Sequence, residues 1–164
     1  MIDAMLTACL ILAVQPPSQY EAELWREIND YRQEQARPAL RYSPMLSKWA
    51  RQWVCTYPQA VERRVGAGNS VYRYRGAQHA PIGFYPSSVA DENAWMYAPT
   101  LRAVLDGWRG VNGWINSASH NTVLLTDEPC AGLAVQYGQF DTPTIEPPRT
   151  GPIAAVFLVG DCDG

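Results

Sequence analysis

Apolar side chains recur at helical spacing early in the chain and at strand spacing late in it. Tyr20, Leu24, Ile28 and Tyr31 share one stripe, the period of about 3.6 residues that predicts an amphipathic helix running to about Gln35. Ser18 with Glu21 forms a capping box directly after the Pro16-Pro17 break, marking the start of that helix. Ser43 followed by Pro44 opens a second helix, because proline at the first helical position gives up no needed hydrogen bond. Leu46, Trp49, Ala50, Trp53 and Val54 give it one broad apolar face. It is expected to end near Pro58, with Gln59 to Arg64 a kinked extension. A third helix is expected from Thr100, carrying Leu101, Val104, Leu105 and Trp108 on one face and stopping at Gly110 or Gly113.

Beyond His120 the period shortens. Thr122 to Leu125, Ala131 to Tyr137 and Ile153 to Val159 are rich in branched and apolar residues and are predicted as strands. The last two form an antiparallel hairpin around residues 138–152. Antiparallel pairing sets the start of one strand beside the end of the other, so Cys130 and Cys162 are expected to form a disulfide. Closing that loop would stabilise the fold by roughly 3–4 kcal/mol. Residues 65–99, rich in Gly, Pro, Ser and Tyr, are expected to be irregular, with Val71 to Arg75 alternating as a short strand. Its arginine–aromatic alternation fits an exposed edge strand blunted by charge better than a base-stacking ladder. Helices first and an antiparallel sheet last predict an α+β or three-layer arrangement. Whether the helices cover two sheet faces, or one face and each other, the pattern leaves open.

Composition narrows the classes. The chain's 164 residues, 47% apolar and 18% charged, suit one globular domain, taken as residues 16–164. A net charge of −3 and a pI near 5.3 argue against nucleic acid as a partner, since phosphate neutralisation needs surplus cations. Residues 4–14 form an apolar run of export-signal length, too short to cross a bilayer comfortably. Asp3 stands where a cationic lead-in belongs, so a retained apolar segment over residues 1–15 is the alternative. Export would place the protein outside the cell, in the periplasm or at the cell surface. Four cysteines, Cys9, Cys55, Cys130 and Cys162, are too scattered for a zinc cluster. Cys55, on an apolar helix face, reads as a buried free thiol.

The chain has two histidines, His79 and His120, so any imidazole chemistry must use them. With Glu92 they could supply three ligands of a tetrahedral zinc site and leave a position for water, whose pKa the metal would lower toward about 7. The structural alternative is that Glu92 pins its segment while His120 hydrogen-bonds across a loop. A serine hydrolase would combine Ser117 or Ser119 with one histidine and Glu92, but no G-x-S-x-G elbow is present. Cys55 is a weaker nucleophile, being expected in an apolar interior. Trp49, Trp53 and Trp108 belong to helical stripes and are expected in the core. Phe84, Tyr85, Trp95 and Tyr97 lie outside those stripes and are candidates to line a groove for a small apolar, lipid-like ligand.

Several segments together resemble the CAP superfamily of cysteine-rich secretory proteins, antigen 5, pathogenesis-related proteins and bacterial SCP-like domains. They are Ile28-Asn29-Asp30-Tyr31-Arg32, then Pro38 to Leu46 with Ala50, then Asp91-Glu92-Asn93-Ala94, Trp114 to Leu125, Gly132-Leu133-Ala134 and the apolar final strand. The resemblance covers residues 18–162. It implies a three-layer α-β-α sandwich around a small antiparallel sheet, with two histidines and two acids in a central cleft that sometimes holds a divalent metal. Carried over, Glu92 is the first acid, His120 the histidine of the later motif and His79 the other. The second acid's place, three residues after Trp108, holds Val111, and Asp91 stands where the family has glycine before the glutamate. The expectation is an exported binding or interaction protein, its cleft taking a divalent metal or an apolar ligand or serving a protein partner. The alternatives are a metal-dependent hydrolase at that cleft and a structural component of a surface or virion-like assembly.

Overall fold

The computed structural model describes residues 17–56, 60–64, 70–74, 79–96, 98–140 and 149–162. Ser18 caps the first helix, α1 (Gln19–Glu34), by the expected reciprocal box: the Glu21 N–H donates to Ser18 Oγ and the Ser18 N–H donates to Glu21 Oε2. After the two-residue strand β1 (Arg41–Tyr42), Pro44 opens α2 (Pro44–Thr56). Next come β2 (Ala60–Arg64), β3 (Ser70–Tyr74) and β4 (Val89–Met96). Helix α3 (Leu101–Asp106), the small hairpin β5 (Gly107–Trp108) and β6 (Val111–Asn112), and helix α4 (Ala118–Leu124) follow. The long strands β7 (Cys130–Phe140) and β8 (Arg149–Gly160) complete the order.

One sheet runs β2-β3-β7-β8-β4, with β1 added beside β7. The β7–β8 and β4–β8 pairs are antiparallel as expected, but β1 and β3 pair with β7 in parallel, so the sheet is mixed. Along β8 the side chains alternate between two cores. Ala155, Phe157 and Val159 join Leu24, Ile28, Leu105, Trp114 and Leu124 on the side of α1, α3 and α4. Val156 and Leu158 join Leu46, Ala50 and Trp53 of α2 on the other. The period of two thus settles the open question: the helices cover both faces, giving the α-β-α sandwich. Gly132 on β7 lets α2 approach, because a Cβ there would strike the Leu46–Ser47 backbone.

Several expectations change. The expected kinked extension of α2 is not found over Ala60–Arg64, which is a strand paired with β3, and Gln59 lies outside the described residues. β3 is not an edge strand, having β2 on one side and β7 on the other. Helix α3 stops at Gly107, whose φ of 97° favours glycine, so Trp108 leaves the helical stripe and pairs with Val111 in the hairpin. Trp108 is half-buried, while Trp114 fills the core position. Thr122 to Leu125 is the end of α4 and not a strand, its apolar Val123 and Leu124 packing on the core as helix neighbours. Asp91, Glu92 and Asn93 sit on β4, not in irregular chain.

Cys130 and Cys162 are bonded, with Cα atoms 5.1 Å apart. Cys130 pairs with Gly160 in the β7–β8 ladder, which brings Cys162 alongside just past the strand end. The side chain of Cys55, that of Trp95, and residues 1–16 and 97 lie outside the described residues, as does the export segment. Among the described residues, no helix is long and apolar enough to cross a membrane.

Candidate functional site

β4 is the sheet's edge, and its alternation organises the cleft. Directly paired residues of an antiparallel ladder point to the same side. Glu92 is opposite Leu158, on the α2 side, whereas Asp91 and Asn93 are opposite Val159 and Phe157, on the α4 side. With no further strand beyond β4 among the described residues, groups from both sides can meet around it.

On the α2 side Glu92 gathers the segment 79–88. Its Oε1 lies 2.7 Å from His79 Nδ1 and accepts the Ala80 N–H at 3.4 Å, while Oε2 accepts the Tyr85 O–H at 2.5 Å. A carboxylate only accepts, so this contact places the His79 proton on Nδ1. The Glu92 side chain is 10% exposed and that of His79 67% exposed. The carboxylate therefore stands behind the ring and the ring faces solvent. Phe84 stands edge-on both to Tyr85, ring centroids 5.0 Å apart, and to Trp49 of α2, 6.2 Å apart, and anchors the segment on that core.

On the α4 side Asn93 donates from Nδ2 to the His120 carbonyl at 2.8 Å. His120 Nδ1 shares a 2.8 Å hydrogen bond with Ser117 Oγ. Burial, and then the nearby His79, hold the His120 imidazole below its ordinary pKa, with the Asp91 charge pulling the other way. The two rings face each other, centroids 6.4 Å apart and planes within 22°. Both line a cavity of about 740 Å³ with Asp91, Glu92, Asn93 and Tyr85, walled by Pro81, Ile82, Pro86 and Val89.

The three expected residues, His79, Glu92 and His120, thus come together. Of the four candidate aromatics, Tyr85 lines the cavity and Phe84 braces it from behind, while the Trp95 side chain and Tyr97 lie outside the described residues. Val111 is 59% exposed on the hairpin and does not line the cavity. A serine relay is not assembled, because the hydrogen-bonded acid serves His79 while the serine serves His120. The resemblance includes Asn93 but gives it no role. Reading residues 89–96 as a strand would have placed it one step from Glu92 and on the opposite side.

Helix, sheet and cleft together agree with the sequence resemblance. A family model for CAP, the cysteine-rich secretory protein family, matches residues 25–131. The chain belongs to the CAP family. The matched stretch of this CAP domain begins within α1 and ends on β7, so it contains both imidazoles and Glu92. No curated protein and no solved structure matches the chain.

The donor set tells which cation this CAP cleft suits. With Nδ1 of each ring engaged, Nε2 is the nitrogen that each imidazole has left, and neither Nε2 has a hydrogen bond among the described residues. Partners on Nδ1 are the usual outer support of metal-bound histidine. Imidazole nitrogen suits zinc or copper, not magnesium or calcium. The Asn93 Oδ1 is buried without a hydrogen-bond partner. Among the described residues, no three His, Cys, Asp or Glu side chains are already gathered as a metal cluster. Two imidazole nitrogens could thus act as donors to a borderline divalent cation, without a third protein ligand gathered beside them among the described residues.

Proposed function

We propose that this CAP domain is an extracellular binding module whose cleft takes a divalent transition-metal cation, zinc by preference, on His79 and His120. One observation carries this: the Nδ1 nitrogens of two facing rings are both tied back, one to Glu92 and one to Ser117. Family membership and the Cys130–Cys162 bridge support an extracellular setting, where disulfides persist. Zinc bound there would supply a Lewis acid and a water of lowered pKa. Binding is favoured over hydrolysis because Glu92, the natural general base, has both oxygens occupied by His79 and Tyr85. The cavity far exceeds an ion, and Pro81, Ile82, Pro86 and Val89 offer apolar wall to a larger, lipid-like ligand alongside it.

Zinc titration by calorimetry tests this on the wild-type protein and on His79→Ala and His120→Ala. Stoichiometric binding lost in both variants is the expected result. A wild-type protein that binds no zinc, or binding that survives both substitutions, would overturn it.

A further inference from the structure

The short helix that carries His120 breaks a local rule at one end and is held from outside at the other. α4 has seven residues, too few for a helix to sustain itself in water. Ser117 occupies its N-cap, where a hydroxyl ordinarily accepts a helix N–H, yet it makes no capping bond. Its hydroxyl is engaged with His120 Nδ1 instead. The C-terminal end is gripped by α1. Arg32 is 2% exposed, and its Nη1 donates to the Leu124 carbonyl at 2.6 Å and the Thr126 carbonyl at 3.1 Å. Its Nε donates to the Pro38 carbonyl at 2.9 Å. A cation on the last carbonyls of a helix is favourable, and a guanidinium this deep persists only where its donors are matched. One residue earlier, the Tyr31 hydroxyl donates to Asn121 Oδ1 at 2.8 Å. Asn121 directly follows His120, which faces the cavity.

We infer that Tyr31 and Arg32 are positioning residues of the cleft: consecutive on α1, they clamp α4 and thereby set where His120 stands. Neither lines the cavity. The inference deepens the cleft reading above and rests on it for the role of His120, not for the clamp itself. With the Ser117 hydroxyl diverted to the imidazole, the helix loses its N-terminal cap, and the bonds from α1 compensate at the far end. Asn93 adds a tie from β4 to the His120 carbonyl. His79 is supported differently, by Glu92 on the other side of the sheet. The two facing rings therefore depend on different layers of the sandwich, and each can be displaced without the other.

Nitrogen-15 NMR of the histidine rings in the metal-free protein at about pH 8, followed by zinc titration, tests the clamp in Tyr31→Phe and Arg32→Lys. Tyr31→Phe removes one hydroxyl and keeps the buried ring. It should move the His120 ring signals, leave those of His79 in place, and weaken zinc roughly 10- to 100-fold, the scale of losing outer support at a metal site. Arg32→Lys keeps the charge but loses the planar fork, and should displace the same signals further. Should Arg32→Lys not fold, the Tyr31→Phe result alone decides. Val156→Ala trims the core on the α2 side. It should lower stability with the His120 signals unmoved, which separates positioning from a general loss of stability. Wild-type His120 signals in Tyr31→Phe would overturn the clamp, as would His79 signals that move equally or a Val156→Ala variant that displaces His120 as far. A wild-type protein that binds no zinc would overturn the cation reading alone, because the ring signals judge the clamp without metal.

Discussion

β8 and β4 lie side by side in register, and the same two-residue alternation does opposite things in them. In β8 both sets of side chains are apolar and buried, one under α1, α3 and α4 and the other under α2. In β4 the residues at 91, 92 and 93 are polar, and each side collects hydrogen bonds to a different segment. An inner strand has neighbours on both edges, so its alternate faces become two sealed cores. An edge strand has one open flank, so its alternate faces become the two halves of a cleft. Stability should therefore follow β8 and site geometry should follow β4.

Phe157→Ala gives the largest effect on the β8 side. The ring is fully buried and lies 6.2 Å from the Trp114 ring, and such truncations cost about 3–5 kcal/mol. Urea denaturation should show that loss as a lower midpoint. A change below about 1 kcal/mol would mean that the core collapses around the gap and that β8 is not the rigid member of the pair. Next in size, replacing Cys130 and Cys162 together with alanine should cost about 2–5 kcal/mol. The bridge closes a separation of 32 residues and fastens the end of β8 to the start of β7. Denaturation of the double variant checks this, and zinc binding should be retained wherever it stays folded.

Sequence periodicity reveals those parts of the molecule that burial alone determines. The α1 capping box, the α2 stripe and the β7–β8 hairpin with its bridge all follow from spacing, because each element has one apolar rule to satisfy. The α3 boundary was misplaced because Trp108 continues the stripe in sequence, while the positive φ at Gly107 ends the helix first. Thr122 to Leu125 looked like a strand because four branched or apolar residues fit either period, and only packing decides. β4 escaped notice for a related reason. Polar residues at 91–93 hide its alternation, and those residues are polar because they serve the cleft. His79, Glu92 and His120 were accessible through scarcity and motif. That Asp91 and Glu92 face opposite sides of β4 needed the register with Val159 and Leu158.

On the β4 side, Tyr85→Phe removes one hydrogen bond to a carboxylate and little volume. The stability loss should be about 1 kcal/mol, well below that of Phe157→Ala. Glu92 would then have a free oxygen, so hydrogen exchange at the Ala80 amide should quicken while the β8 amides stay protected. Equal loss of protection in both strands would mean that the cleft and the core unfold as one unit, contrary to the contrast drawn between them.

The smallest expected effect is a pH dependence at His120. Burial first, and His79 second, keep its pKa below the ordinary 6.5, so the folded protein takes that proton less readily than the unfolded chain. The sign follows from linkage: stability from this group is fully present above about pH 6.5 and is lost as pH falls toward the depressed folded value. Thermal midpoints measured from about pH 8 down to about pH 5 should therefore decline on the acid side. His120→Gln should flatten part of that decline, because an amide keeps a donor and acceptor near Ser117 without titrating. If the decline persisted unchanged in His120→Gln, burial of that ring would not be its source, and the α4 side of the cleft would not be its acid-sensitive half.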